Sequence, residues 1–526
     1  MAKRLTLWIT IFLLIGIGLA PVISMFVKSL FVGGEFSLKN YGMLFQSDRE
    51  WRLLFNSLSL AGATTLITML LGVPLGMLLT KTDLPLKRFF TILFVIPLLI
   101  PSYILAIAWF YCLGRSGIVA RVFNESIGIL TSNFLFSFPG TLFVMVSVLL
   151  PIVIILTMTY LRMVNPNLEE AAILHGSWPT VWRKITIPLI SPGIALAALI
   201  VFILTLGEFG VPSFLRFDVY PVESFTRFSA FYDFNTATAA AIPLGIITFI
   251  VLIIERLFLR KKTFIFRTAG SVRKMVMVPL GKAKPFFTIA ISILVFILVI
   301  IPLCILLYKS VSASAYTEAF IRSIDSIIRS LVYASVGATC LVVIGFFLGY
   351  LLERKATRLP YAIDSIAIFL FALPGAVIGI GLSGLWNTPG TNFIYASMCI
   401  IIFGYIAQYT ALGERIMAAT FSHVPRSMEE TAQIAGAGWF RRLFKILVPL
   451  AKRGMVATWL ICFIFCLRDI GITMMVYPPA HETLPVRIFT LMANSPEDVI
   501  SALCVIMIMI TLLPLGGLGL VKKYCK

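Results

Sequence analysis

Two short acidic segments stand out in a chain that is otherwise made of apolar runs. The first reads Asn167-Leu-Glu-Glu-Ala-Ala-Ile-Leu-His-Gly176, and the second reads Ser427-Met-Glu-Glu-Thr-Ala-Gln-Ile-Ala-Gly436. Their second glutamates, Glu170 and Glu430, are 260 residues apart, which is about half of the chain. Carboxylates that recur in matched polar loops are suited to binding a partner through charge and hydrogen bonds. We therefore interpret both segments as binding elements, and we name no catalytic residue.

Each segment predicts a short helix, a bend and a second helix. Asn167 and Ser427 have side chains of the kind that cap helix N-termini. Glu170 and Glu430 follow three residues later, where a carboxylate can reach back to the N–H of the cap as a capping box. In each copy a glycine six residues after the glutamate is expected to end the helix and allow a sharp bend. Aromatic and basic residues then lead to a proline that begins the next membrane span.

The first helix of each copy carries alanines that keep its surface low, so that another protein can approach closely. Both copies repeat glutamate, alanine, glycine and a later proline in the same order, and each copy therefore supports the interpretation of the other. The candidate docking residues are Glu170, Ala171, Ala172, Gly176, Glu430, Ala432 and Gly436.

Two further acids, Glu208 and Asp469, are the candidate residues of a translocation path. Each lies 20 residues after the proline, Pro188 or Pro449, that begins its span. At about 1.5 Å per residue this is roughly 30 Å of helix, which places both acids near the outer end. Charged residues inside spans are costly and are therefore usually functional. Two interpretations stay open: a carboxylate that touches water at the end of a span, and a symmetric pair that lines an outer vestibule and favours a cation.

The composition indicates a membrane protein. Hydrophobic residues make up 60% of the 526 residues and charged residues only 13%, whereas soluble proteins average roughly 45–50% and about 25%. Recurring apolar runs near the ~20 residues that cross a bilayer predict an all-α polytopic membrane protein embedded in lipid. The net charge of +20 is attributed to basic loops on the cytoplasmic side, so no nucleic acid partner is expected. The eight cysteines lie mostly in apolar runs and the three histidines are dispersed. We therefore expect no disulfide framework, no metal site and no cofactor.

Twelve membrane spans are predicted. With the N-terminus inside, the inner segments hold 30 of the 43 Lys and Arg residues and the outer loops hold 10. Because cytoplasmic loops carry the excess of basic residues, both termini and both acidic segments are predicted to be cytoplasmic. The approximate ranges of the spans are 5–30, 52–80, 89–113, 138–161, 190–212, 237–259, 286–310, 328–352, 361–385, 392–415, 453–476 and 498–520.

The spans are predicted to form two six-helix transmembrane domains. These are residues 1–260 and 285–526, joined by a basic cytoplasmic linker at 261–284. Landmarks recur in the same order in both: Pro101 matches Pro374 at an offset of 273 residues, and Pro188 matches Pro449 at an offset of 261. An even number of spans in each half predicts parallel repeats related by an axis along the membrane normal.

The two acidic segments resemble the Glu-Ala-Ala loop of binding-protein-dependent ABC importer permeases. That motif has Glu-Ala-Ala, a glycine six residues after the glutamate, and a hydrophobic-x-hydrophobic-Pro ending. The second copy keeps this spacing as far as Ile446-Leu-Val-Pro449, with Thr431 in place of one alanine. The first copy keeps the Glu-Ala-Ala and glycine positions but is one residue shorter before Ile185-Thr-Ile-Pro188.

The resemblance covers essentially the whole chain, as a fused permease with two copies of the domain. Three looser stretches look most like ferric-iron importer permeases. They imply an inner-membrane permease subunit of a bacterial ATP-driven importer with iron(III) as substrate, and thiamine or a phosphonate is the alternative. The stretches are Leu206-Gly-Glu-Phe-Gly210, Leu467-Arg-Asp-Ile-Gly471 and Thr483-Leu-Pro-Val-Arg-Ile488.

The resemblance also implies two kinds of partner. In the family this loop is a coupling helix that docks into a groove on the ATPase subunit, so two loops imply two ATPase copies. A periplasmic or extracellular solute-binding protein delivers the substrate. The chain has no Gly-x-x-x-x-Gly-Lys-[Ser/Thr] phosphate loop, so we expect it not to be an enzyme and not to hydrolyse ATP by itself.

Two other classes of membrane protein compete with this interpretation. A secondary transporter with six plus six helices would have the same repeat, but it predicts ion-coupling charges at mid-span, and the sequence has almost none. A membrane scaffold or channel leaves both the repeat and the duplicated acidic loops unexplained.

Overall fold

The computed structural model describes residues 2–32, 35–37, 41–42, 46–231, 234–259, 276–356 and 360–524. This part of the chain is almost entirely helical, and the predicted all-α class is confirmed. Its two-stranded sheet is a short antiparallel hairpin of β1 (Phe31–Val32) and β2 (Glu35–Phe36). Most of the predicted linker, residues 261–275, lies outside the described residues.

The helices before the predicted linker include both long spans and short connecting turns. Two π-helical turns, Leu14–Leu19 and Trp182–Thr186, continue directly into the helices that follow them. In chain order the helices are α1 (Ala2–Leu13), α2 (Ala20–Ser29), α3 (Asp48–Lys81), α4 (Lys87–Leu99), α5 (Ser102–Leu113), α6 (Ile118–Val122), α7 (Glu125–Leu135), α8 (Phe138–Leu161), α9 (Pro166–Ile173), α10 (Trp178–Val181), α11 (Ile187–Leu206), α12 (Gly210–Phe214), α13 (Tyr220–Phe231) and α14 (Phe234–Leu259).

The helices after the linker follow the same order of long and short elements, except that α7 has no counterpart among them. A 3-10 turn at Gly281–Ala283 precedes them, and π-helical turns lie at Phe296–Ile300 and Leu443–Leu447. In chain order they are α15 (Lys284–Val295), α16 (Ile301–Lys309), α17 (Ala313–Arg354), α18 (Pro360–Ala372), α19 (Gly375–Trp386), α20 (Asn392–Tyr395), α21 (Cys399–Ser422), α22 (Arg426–Ile434), α23 (Trp439–Arg442), α24 (Val448–Arg468), α25 (Thr473–Val476), α26 (Leu484–Leu491) and α27 (Glu497–Tyr524).

Ten helices among the described residues are long and apolar enough to cross a membrane, and the bent pair α18–α19 makes an eleventh. The predicted number was twelve. The predicted span at 392–415, the tenth in chain order, corresponds to α21, which is 24 residues long but is less apolar because Gln408, Glu414 and Arg415 lie within it. The multi-pass character of the chain is therefore confirmed, with one span fewer by composition.

Two predicted spans are broken rather than continuous. The range 89–113 was predicted as one helix, but α4 ends at Leu99 and α5 begins at Ser102. The range 361–385 is likewise split into α18 and α19, which meet at an angle of 104°. Pro101 and Pro374 are the N-caps of the second segments, with ψ angles of 134° and 137°. A proline lacks the N–H of a helical ladder and disfavours helical backbone before it, so both helices stop there.

The described chain groups into two compact units. Unit one comprises Met1–Glu50, Tyr220–Gly245 and Ser312–Lys526, and unit two comprises Trp51–Val219 and Ile246–Val311. Each unit therefore includes the first span of the opposite sequence half. The predicted domains, residues 1–260 and 285–526, describe the repeat in the sequence and not these compact units. Their boundaries stay a prediction.

In unit one, the first span of the chain lies against helices of the second half. α2 packs along α19, and the π-helical turn before α2 packs along α21. A Cβ added at Gly381 would be 3.0 Å from the carbonyl oxygen of Pro21, so the two backbones approach closely there. Small residues at such crossings let membrane helices come together.

In unit two, the first span of the second half completes an apolar core. Ile291 and Val295 of α15 are buried against Phe94 of α4 and Ile154 of α8. α16 packs against α5. The outer faces of α4 and α15 also carry apolar side chains, such as Ile92 and Ile289, which suits contact with lipid.

Candidate docking loops

The first docking loop (residues 165–186) and the second docking loop (residues 425–447) have the same order of elements. Each contains a short helix, a four-residue connection, a second helix of one turn and a π-helical turn. The second helix and the π-helical turn match between the loops at a constant offset of 261 residues. The one-residue difference in length therefore lies in the first helix, which has eight residues in α9 and nine in α22.

The two first helices begin earlier than predicted. The N-cap of α9 is Asn165, whose side-chain oxygen accepts a hydrogen bond from the N–H of Asn167 at 3.1 Å. The N-cap of α22 is Pro425, without a side-chain cap bond. The predicted capping by Asn167 and Ser427 is therefore wrong, because each is the second residue of its helix. Prolines set these starts: Pro166 has a φ suited to the first helical position, and Pro425 has extended backbone.

The paired glutamates of each loop face in different directions. Glu169 and Glu429 are both the fourth residue of their helix, and they are only 1% and 8% exposed. Glu170 and Glu430 are exposed. Neighbouring positions on a helix do not share a face, so one carboxylate is available to a partner and the other is turned inward.

The alanines lie beside the exposed glutamates. Ala171 is exposed, and Ala172 and Ala432 are half-buried. Glu170 and Glu430 therefore have small side chains beside them, which leaves room for a partner to approach, as the docking prediction requires. That these residues contact an ATPase stays a prediction.

In the first docking loop, Glu169 is held on both oxygens. Its Oε2 lies 2.5 Å from Nζ of Lys81, and each of these two side chains is 1% exposed. Its Oε1 accepts a hydrogen bond from the hydroxyl of Thr186 at 2.9 Å. Lys81 is the last residue of α3, and Thr186 is the last residue before α11. One carboxylate therefore ties the loop to the ends of two membrane-spanning helices.

In the second docking loop, Glu429 has different partners. The hydroxyl of Tyr350, near the end of α17, donates to its Oε1 at 2.6 Å. Nη1 of Arg442 lies 3.7 Å from the same oxygen and also donates to Gln433 at 2.6 Å. Lys3 of α1 donates to the Tyr350 hydroxyl at 2.7 Å. This glutamate is therefore tied to one span and to the loop itself, with the start of α1 beside it.

Aromatic side chains pack around Lys3 where α1 meets the second docking loop. The indole of Trp439 meets the ring of Tyr350 edge-on, with centroids 5.5 Å apart. Nζ of Lys3 lies 4.8 Å from the centre of the tyrosine ring and 5.5 Å from that of Trp439. A cation over two aromatic faces is held by their quadrupoles, so the N-terminal end of α1 is fixed against the second docking loop.

The predicted bend depends on glycine in one loop only. Gly436 has a φ of +80°, its N–H donates to the carbonyl of Gln433, and the next N–H donates to Ala432. This is the Schellman pattern that ends a helix with a left-handed residue. Gly176 has no positive φ, and a Cβ there would meet only ordinary contacts at 3.8 Å. The first docking loop therefore bends without needing a glycine.

Glu208 and Asp469 lie where two spans end. Glu208 accepts a hydrogen bond from Ser102 at 2.6 Å and from the N–H of Gly210 at 3.0 Å. Asp469 is 7% exposed and accepts from Tyr409 at 2.9 Å and from the N–H of Thr473 at 3.0 Å. Each acid thus lies at the N-terminal end of the short helix that follows, α12 or α25, where a negative charge is stabilised.

These contacts bear on the two interpretations of the acids. The neighbours of both acids favour a structural role at the end of the span. The proposed place of Glu208 and Asp469 on a translocation path stays a prediction.

The histidines do not form a site. His481 accepts from or donates to the hydroxyl of Tyr333 at 2.6 Å, while His175 and His423 are exposed. Within the described ranges, no group of three or more His, Cys, Asp or Glu side chains is arranged to hold a metal ion.

Comparison with known proteins decides the family. The model of the inner membrane component of binding-protein-dependent transport systems matches residues 72–264 and, a second time, residues 341–518. The chain belongs to this family. It is a family of transport components and not of enzymes, and its description implies work with a solute-binding protein. Each match contains one docking loop.

Individual relatives match this permease over all or part of its length. It is 24% identical to the Fe(3+)-transport system permease protein FbpB 2 of Haemophilus influenzae, over 100% of this chain and 99% of the relative. It is 21% identical to the ferric transport system permease protein FbpB of Actinobacillus pleuropneumoniae, over 86% and 68%. A shorter match, 33% identical over 30% of the chain and 58% of the relative, is to the molybdenum transport system permease protein ModB of Mycobacterium tuberculosis.

The sequence analysis of this permease missed the residues that hold its loops. Lys81 and Tyr350 were not predicted to contact the loops, and Thr186 and Arg442, although they lie within the loops themselves, were not paired with a glutamate. The inward direction of Glu169 was not predicted either. One signal was present: a doubled glutamate on a short helix cannot point both carboxylates to water if the helix lies against the protein. The partner of the inward one depends on tertiary packing and has no sequence motif.

Proposed function

We propose that this chain is the permease subunit of an ATP-driven importer in the bacterial inner membrane. It forms the translocation path, and it docks one ATPase subunit on each of its two loops. The observation that carries the proposal is the matched geometry of the loops, in which Glu170 and Glu430 occupy the same exposed position of two helices of the same register.

We infer the orientation in the membrane, and the segments that meet at one end of each unit support the inference. In unit two, the end of α3 lies beside the first docking loop, and Asp83 accepts from the N–H of Leu280 at 2.9 Å. In unit one, Lys3 lies beside the second docking loop. These are the basic segments that the sequence places in the cytoplasm, so we infer that both loops and both termini are cytoplasmic.

We further propose iron(III) as the substrate. The support is the pair of relatives that are named for ferric transport and match this chain over most or all of its length. A solute-binding protein outside the cytoplasmic membrane would bring the ion to the outer loops. The permease needs no resident metal for this role, because the binding protein and the path handle the ion in transit.

The test is uptake by purified permease in proteoliposomes, with its ATPase inside and iron-loaded binding protein outside. We expect uptake of labelled iron(III) that requires ATP, and native mass spectrometry should show two ATPase subunits per permease chain. Molybdate, spermidine, a phosphonate and thiamine are the competing substrates. Uptake driven by an ion gradient without ATP would contradict the proposal, and ATP-driven uptake of a competitor but not iron would contradict the substrate.

A further inference from the structure

A buried carboxylate recurs in both docking loops and is turned away from the exposed face that we propose for docking. Glu169 and Glu429 are buried, while the residues before them, Leu168 and Met428, are each 48% exposed. An ionised carboxylate removed from water is costly unless it is paired and hydrogen-bonded. Its presence at the same position of both helices therefore needs a reason other than solubility.

The partners of the two carboxylates are not repeated with them. At the offset of 273, Lys81 corresponds to Arg354, which donates to the carbonyl of Val424 at 2.9 Å and not to Glu429. At the offset of 261, Thr186 corresponds to Leu447, which is apolar and fully buried. The glutamate is thus kept while a different set of donors surrounds it. This pattern indicates a requirement for an anchored carboxylate, whichever side chains supply the anchor.

We propose that Glu169 and Glu429 are positioning residues that clamp each docking helix to the ends of membrane-spanning helices. The clamp fixes the direction of the exposed face that carries Glu170 or Glu430. It also passes a displacement of the loop to the spans that hold it. This inference rests on the proposed docking function, but the rigidity that it requires belongs to the permease alone.

The two clamps differ in what they connect. The first joins its loop to α3 and α11 through a fully buried ion pair and a hydroxyl. The second joins its loop to α17 through the Tyr350 phenol, and the start of α1 is attached to that phenol through Lys3. Loss of the ion pair should therefore loosen the first loop only, whereas changes at the N-terminus should reach the second loop only.

The experiment is hydrogen–deuterium exchange of the full-length permease in lipid nanodiscs without ATPase. We expect Lys81→Met to speed amide exchange in residues 166–174 by about tenfold or more, because one partner of a buried pair is left uncompensated. Residues 426–435 should be unchanged. The charge-reversed pair Lys81→Glu with Glu169→Lys should restore most of the protection. Lys184→Met is the matched control, since it removes a positive charge from an exposed position of the same loop.

A second set of variants guards against simple unfolding. Lys81→Arg keeps the charge, and Glu169→Gln keeps an acceptor for Thr186, so both should fold and show intermediate protection. Tyr350→Phe should loosen residues 426–435 alone. Unchanged amide exchange in Lys81→Met and Tyr350→Phe would overturn the proposal. A charge-reversed double variant that folds but does not regain protection in residues 166–174 would also overturn it.

A coupling measurement separates this inference from the docking function. In proteoliposomes with ATPase, Lys81→Met should lower the substrate transported per ATP hydrolysed by about fivefold or more, while the ATPase still binds through the exposed face. If the wild-type permease binds no ATPase, the proposed function fails and the exchange experiment still tests the clamp. If the ATPase binds and the ratio is unchanged in Lys81→Met, the clamp does not transmit movement and the inference fails.

Discussion

Asp469 shows at the scale of one residue how an acid can be both structural and a candidate for transport. Its two oxygens are used by a phenol from α21 and a backbone N–H of α25. Asp469→Ala leaves both donors unpaired in a buried place and should destabilise the permease by about 1–3 kcal/mol. The measurement is the thermal unfolding midpoint in detergent.

The isosteric variant Asp469→Asn separates the two roles. It keeps an oxygen acceptor but removes the charge, so it should unfold at a temperature close to that of the wild type if the role is structural. If iron uptake by Asp469→Asn also stays at the wild-type level, the role of Asp469 is structural only. A stable variant with strongly reduced uptake would support the translocation path.

Gly436 and Gly176 form a second contrast between single residues. Only Gly436 has left-handed backbone, and a residue with a Cβ pays roughly 1–2 kcal/mol there. Gly436→Val should therefore distort the end of α22 and reduce both ATPase binding and coupled uptake. Gly176→Ala is the control and should change neither by more than a small factor. Equal loss in both variants would mean that the side chain, and not the backbone conformation, matters.

At the scale of elements, α17 and α21 can cross closely because glycines lie at the crossing. A Cβ at Gly413 would lie 2.8 Å from the carbonyl oxygen of Leu341. Gly413→Ala should push the helices apart and cost about 1–3 kcal/mol, as overpacking usually does. Gly384→Ala is the control, because nothing lies within 4 Å of its added Cβ. Similar unfolding temperatures for both variants would contradict this packing.

Glycines at helical spacing on α19, the second segment of the broken span, also allow close packing. Gly375, Gly379 and Gly381 each have neighbours within 3.0 Å of an added Cβ, whereas Gly384 has none. Spacing along a helix identifies which residues share a side. It does not identify where the neighbouring helix ends, so the last member of the series could not be assigned from sequence.

Apolar runs and basic loops were sufficient to predict the helical class and most spans. The breaks at Pro101 and Pro374 were not predicted, because prolines are often tolerated inside membrane helices and the bend is decided by packing. Glu169 and Lys81 were not paired, because they are 88 residues apart. The charge of each was visible in the sequence, but the burial that forces them together was not.

At the scale of the whole molecule, each compact unit is built from both halves of the sequence. A chain cut in the linker, as residues 1–268 and 269–526, should therefore yield halves that are unstable alone. Expressed together, they should assemble in about equal amounts, because each supplies the first span that the other needs. Co-purification through a tag on one half measures this. Two halves that each purify as folded, protease-resistant monomers would contradict it.

The placement of α1 and α2 sets a waiting time during biosynthesis. The helices that cover them begin at Ala313, so 283 residues separate Ser29 from that start. At about 5–20 residues per second, the ribosome needs tens of seconds to make them. For that interval the first span stays in the bilayer without its final neighbours, with the hydroxyls of Thr6 and Thr10 satisfied by carbonyls of their own helix. Because these hydroxyls are hydrogen-bonded within their own helix, the first span needs no partner for them while it waits in lipid for its neighbours.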